Sequence, residues 1–112
     1  MIPDELEVEI SQPKADERVF TLKGAVTLNN LFSFQTKFRE LPAANSIIDL
    51  TQVSYMDSAG IGCLVNAHVT CTKAGKTLLV VGPNQRVSAV LRHTRVDGVL
   101  SIVPTMPESA KP

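Results

Sequence analysis

Apolar and polar residues alternate near the start of the chain, a pattern that indicates β-strands. Leu6, Val8 and Ile10 alternate with acidic or polar neighbours, as expected for a strand with one solvated face. Residues 18–23 (RVFTLK) are predicted to form a second strand, ended by Gly24. A turn containing proline separates the two segments, so the pattern predicts an antiparallel hairpin.

The rest of the chain alternates between helical spacing and short apolar runs. Helices are predicted over residues 29–41, from the region of Ser58 to Gly75, and after Asn84, where an asparagine can cap a helix. Further strands are predicted over residues 46–50 (SIIDL), 77–81 (TLLVV) and 99–103.

The apolar faces of the three predicted helices repeat every three or four positions. They consist, in chain order, of Leu31, Phe34, Phe38 and Leu41; of Ile61, Leu64, Val65, His68 and either Cys71 or Thr72; and of Val87, Val90 and Leu91. Phe32 lies off the first of these faces and is expected to be partly exposed.

The element order β-β-α-β-α-β-α-β predicts an α/β fold, in which a mixed β-sheet has helices packed on it. The chain length of 112 residues fits one domain, and we predict that this domain covers residues 1–104. Residues 105–112 contain little that could pack, and we predict a disordered tail.

Composition narrows the classes of function. Lys plus Arg (11) balances Asp plus Glu (11), and without a dense basic run we expect no nucleic-acid partner. The acidic N-terminus and the absence of a long apolar run predict a cytoplasmic protein that is not inserted in a membrane. Cys63 and Cys71 lie eight residues apart on one predicted helix, about 12 Å along its axis, too far for a disulfide.

The segment Asp57-Ser58-Ala59-Gly60, between a predicted strand and a predicted helix, has three interpretations. Asp and Ser are typical helix caps, whose side-chain oxygens accept hydrogen bonds from free backbone N–H groups. Gly60 and Gly62, however, each weaken a helix by about 1 kcal/mol relative to alanine, which favours a contact site in which another group closely approaches the glycine backbone.

The second interpretation makes Ser58 a catalytic nucleophile, which needs a nearby base. His68 lies about 15 Å further along the helix, and His93 is predicted near a helix C-terminus. The sequence also has no metal-ligand cluster and no phosphate-binding glycine loop. We therefore predict no enzymatic activity, no metal and no cofactor.

The third interpretation makes Ser58 a phosphate acceptor. Phosphorylation adds about −1.5 to −2 charges, which the N–H groups and dipole of a helix N-terminus tolerate. A partner surface fitted to a neutral hydroxyl would have to desolvate that charge. Modification is therefore expected to act on an interface and to leave the fold intact.

The run IIDLTQVSYMDSAGIGCLV, residues 47–65, resembles the signature of STAS-domain anti-sigma factor antagonists, and the similarity extends over most of the chain from Leu6. The resemblance implies that Ser58 is phosphorylated by an anti-sigma factor that is itself a protein kinase. It also implies that the unphosphorylated form binds this factor and releases its sigma factor, and that a phosphatase resets the switch.

The resemblance implies a partner-binding site around Ser58. Its expected residues are Asp57, Ser58, Ala59, Gly60, Gly62, Asn29 and Asn30. Many family members carry an acidic pair after the glycine of the second strand, where this chain reads Gly24-Ala25-Val26-Thr27-Leu28. Asn29, Asn30 and the Pro83-Asn84-Gln85 turn are candidates for replacing those contacts, and helix caps or a solvated turn explain them at least equally well.

The same fold serves as a scaffold in sensory assemblies and as a subunit of membrane transporters, and fold alone does not choose among these roles. A regulatory or scaffolding STAS protein that does not switch is the alternative to an antagonist. The sequence leaves self-association open.

Overall fold

The N-terminal alternation produces the predicted hairpin. In the computed structural model, which describes residues 5–108, β1 (Glu7–Ser11) pairs antiparallel with β2 (Glu17–Val26). Val8 lies opposite Leu22 on the neighbouring strand. On the other face of this hairpin, Lys23 forms salt bridges with Glu7 and Glu9.

The predicted end of the second strand at Gly24 is wrong. β2 continues to Val26, and Gly24 has a φ of 109° in a backbone conformation that glycine adopts readily. The strand register shifts between Gly24 and Ala25, so the glycine lets the strand bend without ending. The neighbouring β3 (Asn45–Met56) is likewise longer than the predicted strand over 46–50, because its second half pairs with the extension of β2.

The sheet is completed by β4 (Thr77–Val81) and β5 (Ile102–Val103). The strand order is β1-β2-β3-β4-β5, and every pair except β1 with β2 is parallel. The predicted mixed sheet is therefore confirmed. Only the end of the predicted strand over 99–103 forms, because a 3-10 helix (Val96–Gly98) leads into it and buries Leu100.

Three helices connect the parallel strands, in the predicted order: α1 (Leu31–Glu40), α2 (Ser58–Lys73) and α3 (Gln85–His93). Gly75, with a φ of 71°, follows the end of α2, and the side chain of Asn84 caps α3 by accepting from the N–H of Val87 at 2.8 Å. Phe32 is exposed, as expected. Within residues 5–108, no helix combines the length and apolarity required to cross a bilayer.

The main core lies between the sheet and its helices. Phe20 of β2 packs against Phe34 and Phe38 of α1, with ring centroids 5.2 to 5.8 Å apart. Such aromatic pairs stabilise a core by about 0.5–1.5 kcal/mol beyond their buried area. This cluster fixes α1 against the strand that leads to the candidate site.

A smaller cluster of Val19, Ile47 and Val81 lies on the opposite face of the sheet, because successive side chains of a strand point to opposite faces. Met106 packs against this cluster, a contact that the sequence analysis did not anticipate. The tail predicted to be disordered includes residues 109–112, which lie outside the described residues. The domain boundary at residue 104 stays a prediction.

Candidate functional site

The candidate site lies where β3 passes into α2 with only Asp57 between them. The backbone N–H of Asp57 donates to the carbonyl of Val26, at the end of β2, at 3.2 Å. The carboxyl ends of the two central strands therefore fix the position from which α2 begins. Residues that follow β2 and β3 meet at this edge of the sheet.

Asp57 caps α2 and also anchors the segment that follows β2. Its Oδ1 accepts from the N–H of Gly60 at 2.9 Å, and its Oδ2 accepts from the N–H of Leu28 at 3.1 Å. The capping interpretation is therefore correct for the aspartate. One carboxylate holds the helix start and the β2–α1 turn in a fixed relation.

Ser58 is exposed, and its hydroxyl makes no hydrogen bond within the part of the chain that the structure describes. It is the first residue of α2, where backbone N–H groups lack intrahelical acceptors. Because Asp57 supplies the cap, the Ser58 hydroxyl is available for chemistry or for contact with another molecule. The positive end of the helix dipole favours negative charge there.

The two glycines of the site serve different purposes. Gly60 is buried, and a Cβ added to it would lie 2.7 Å from the carbonyl oxygen of Val26 and 3.3 Å from Cε of Met56. The atoms that approach Gly60 therefore belong to this chain, and its place in a partner interface stays a prediction. Gly62 is exposed, and apart from its chain neighbours and the backbone of α2 itself no atom lies within 4 Å of an added Cβ, so its surface is open to another molecule.

The asparagines near the site also divide into residues with internal contacts and an exposed residue. Asn30 closes the β2–α1 turn: its Nδ2 donates to the carbonyl of Ala25 at 2.9 Å, and its Oδ1 accepts from the N–H of Thr27 at 3.0 Å. Asn84 caps α3, and its Nδ2 also donates to the carbonyl of Val53 at 3.0 Å. These two amides serve internal contacts, whereas Asn29 is exposed.

Sequence reasoning missed two groups at this edge. Leu28 is 60% exposed and Phe32 is 61% exposed, and the hydrogen bond from Leu28 to Asp57 places the leucine beside the start of α2. Arg86 lies over the ring of Tyr55, 4.7 Å from its centroid, in a cation–π contact. The position of Phe32 off the apolar face of α1 was the one signal of this surface in the sequence.

The described residues around Ser58 do not include a histidine base within reach or a metal-ligand cluster. His68, the histidine on the same helix as Ser58, is half-buried and lies almost three turns away. Among residues 5–108, no three His, Cys, Asp or Glu side chains lie together in a way that could hold a metal ion. The chemical properties of the site are those of a capped helix start with an exposed hydroxyl.

Comparison with known proteins gives a family and several relatives. Residues 10–104 match the family described as Mlab, STAS domain. A Thermotoga neapolitana protein, provisionally named as a homologue of the anti-sigma factor antagonist TM1081, is 32% identical over 63 residues. The match spans 56% of this chain and 56% of that relative, so the chain covers a little over half the length of the curated protein it matches.

Solved structures share the fold at low sequence identity. An anti-sigma factor antagonist from Mycobacterium paratuberculosis has a TM-score of 0.85 at 16% identity, over 96% of this chain and 93% of that one. The Bacillus cell fate determinant SpoIIAA in its phosphorylated form has a TM-score of 0.67 at 14% identity, over 87% and 91%. A sulfate transporter family protein from Wolinella succinogenes has a TM-score of 0.75 at 16% identity, over 87% and 84%.

Proposed function

The chain belongs to the STAS domain family, and from that membership we propose that it is an anti-sigma factor antagonist controlled by phosphorylation of Ser58. Unphosphorylated, it binds a kinase-type anti-sigma factor and so releases the sigma factor. The kinase transfers the γ-phosphoryl group of ATP to Ser58 Oγ, ADP leaves, and the hydroxyl proton passes to a base of the kinase. A phosphatase restores the free hydroxyl.

The observation that carries this proposal is the exposed, unbonded hydroxyl of Ser58 at a helix start whose cap is supplied by Asp57. If the serine hydroxyl capped the helix, phosphorylation would disrupt the capping hydrogen bond. Here Asp57 supplies the cap, so phosphorylation of Ser58 leaves it intact. The relatives named as antagonists support the choice of partner. A structural neighbour solved in a phosphorylated form supports the choice of switch.

The proposed partner surface combines residues of the site that are exposed or half-buried with two residues that position them. Asp57, Ser58, Ala59, Gly62 and Asn29 form the contact surface, and Gly60 and Asn30 hold it in place. Phosphate on Ser58 would lie next to the Asp57 carboxylate and would have to be desolvated within a docked interface. The modified protein therefore keeps its fold and loses its partner.

Affinity capture tests the proposal. The wild-type protein is used as bait in lysate of the source organism, and retained proteins are identified by mass spectrometry. We expect a kinase-like anti-sigma factor, which on addition of ATP phosphorylates the bait on Ser58 and leaves a Ser58→Ala bait unmodified. Retention of membrane transporter subunits or sensory scaffold proteins alone would contradict the proposal and favour the alternative role.

The exposed pair Leu28 and Phe32 gives this surface an apolar part. Family resemblance implies acidic contacts in the segment after the second strand, and this chain places Leu28 there, 60% exposed and bonded through its backbone to Asp57. Apolar contact area at the centre of an interface contributes affinity, whereas acidic side chains there favour a basic partner surface. The partner of this chain should therefore present an apolar surface opposite Leu28.

We expect the double variant Leu28→Ser/Phe32→Ser to bind the captured partner about tenfold to a hundredfold more weakly. We propose that both side chains belong to the packed centre of the interface, where the minority of residues that cost more than about 1 kcal/mol on truncation are concentrated. Isothermal titration calorimetry measures the loss. The matched control is Val99→Ser, which removes an apolar side chain that is 49% exposed near the other edge of the sheet. Equal affinities for the double variant and the control would show that the apolar pair lies outside the interface.

A further inference from the structure

A cavity of about 270 Å³ lies between α1 and α2. Phe34 and Phe38 of α1 form one wall, and Cys63, Ala67 and Cys71 of α2 form the other. This volume is slightly below the range of about 300–1,000 Å³ typical of small-molecule sites. The lining selects a small ligand with an apolar body.

The charged side chains that line the cavity are all positive. Arg39 and Lys76 both line it, and neither forms a salt bridge within residues 5–108. None of its lining residues is acidic. Burial raises the pKa of the Cys63 thiol to about 11, so this thiol stays neutral and contributes no negative charge.

Ser46 adds a buried polar group to the same cavity. The residue is only 3% exposed, and its hydroxyl makes no hydrogen bond to another described residue. The buried side-chain atoms that lack a partner in the described structure belong to Glu17, Arg18 and Thr27, so the Ser46 hydroxyl is open to the cavity and can bond to water or to a bound polar atom. The cavity therefore combines apolar walls, two cations without a salt-bridge partner among the described residues, and an available hydroxyl.

We propose that this cavity binds a small monocarboxylate with an apolar tail. The tail packs between the phenylalanines of α1 and the small side chains of α2, and the carboxylate lies against Arg39 and Lys76. Guanidinium groups bind carboxylates through paired hydrogen bonds. The other polar side chains of the lining, Gln35, Asn66 and Thr70, are neutral and supply no counter-charge to the two cations.

The cavity and the proposed partner surface share α2 but no lining residue. Along the helix axis the cavity extends from Cys63, about 8 Å beyond Ser58, to Cys71, about 20 Å beyond it. Ligand binding is measured on the isolated protein without any partner or kinase. Its failure would leave the proposed antagonist function untouched, and failure of the antagonist function would leave this site untouched.

Titration with octanoate, followed by amide ¹H–¹⁵N NMR, tests the proposal. We expect saturable shifts of the amides of Cys63, Ala67 and Cys71, with octanol, the neutral probe of equal chain length, binding at least about tenfold more weakly. The double variant Arg39→Gln/Lys76→Gln should lose this preference for octanoate and keep the weaker binding of octanol. Both side chains reach solvent and make no salt bridge in the described structure, so the variant is expected to fold.

A second measurement follows the two cysteines, whose thiols line the cavity. Saturating octanoate should slow their reaction with a thiol reagent several-fold, because a bound tail covers them. Shifts that do not saturate, shifts spread over the surface away from the cavity, equal binding of octanol and octanoate, or unchanged thiol reaction rates would each overturn the proposal.

Discussion

Replacing Ser58 with aspartate is expected to lower affinity for the anti-sigma factor by about a hundredfold or more, which corresponds to about 2.8 kcal/mol. The added carboxylate would lie beside that of Asp57 and would be desolvated against a surface fitted to a hydroxyl. The fold should be unaffected, because a negative charge is favourable in the first turn of a helix. Calorimetric titration of the captured partner measures the affinity.

Two controls separate charge at this position from other effects. Ser58→Ala removes the hydroxyl without adding charge and should bind within about threefold of wild type. Ser101→Asp adds the same charge at an exposed serine next to β5, the edge strand, and should bind like wild type. If Ser58→Asp bound as tightly as Ser101→Asp, the proposed switch would be wrong.

Replacing Gly60 with alanine is expected to destabilise the protein by about 1–3 kcal/mol, the usual cost of inserting a methyl group into a packed site. The new Cβ would meet the Val26 carbonyl oxygen at 2.7 Å, and this oxygen belongs to backbone that is held by the sheet and by the N–H of Asp57. The added methyl therefore pushes α2 away from β2. Urea unfolding measures the change from the transition midpoint at a constant slope.

The matched control is Gly62→Ala, the same substitution two residues further along α2. Apart from its chain neighbours and the backbone of α2 itself, no atom lies within 4 Å of the added Cβ, so the helix propensity of alanine should stabilise the protein by up to about 1 kcal/mol. The two variants should therefore shift the unfolding midpoint in opposite directions. Equal shifts, or a stabilising effect of Gly60→Ala, would contradict the packing described for Gly60.

Gly62→Ala also separates stability from binding. In the proposed interface, the same methyl group stands where the partner approaches, so a more stable variant should bind more weakly. Both glycines lie in the first two turns of α2, but Gly60 packs against the Val26 carbonyl and Gly62 faces open space. Substitution therefore acts on stability at Gly60 and on partner binding at Gly62.

Local patterns in the sequence predicted the element order and the helix boundaries that depend on local chemistry. The cap at Asn84 and the glycine after α2 are examples, because both act on backbone groups within a few residues. The length of β3 was not predictable in this way. Residues 51–56 (TQVSYM) mix polar and apolar side chains, and they form a strand because the extension of β2 lies beside them.

The sequence predicted where the candidate site lies in the fold, but it predicted only some of the residues that form its surface. The Asp-Ser-Ala-Gly segment indicated a strand-to-helix junction with an exposed serine, and the structure has that arrangement. The internal role of Gly60 depends on the carbonyl of Val26, which is 34 positions away in the chain. The exposure of Leu28 likewise depends on its anchoring to Asp57, a contact that no local pattern encodes.

The single antiparallel pairing of the sheet also determines the order in which the strands can assemble. β1 and β2 are joined by a short turn and can pair within the first 26 residues, whereas each parallel pairing must wait for a helix to be synthesised. Glu17 pairs with Asn45, and closing such distant contacts costs chain entropy that slows folding. On the ribosome, the inner edge of the hairpin therefore has no strand partner until β3 emerges, and its unpaired backbone groups stay open to association with other chains.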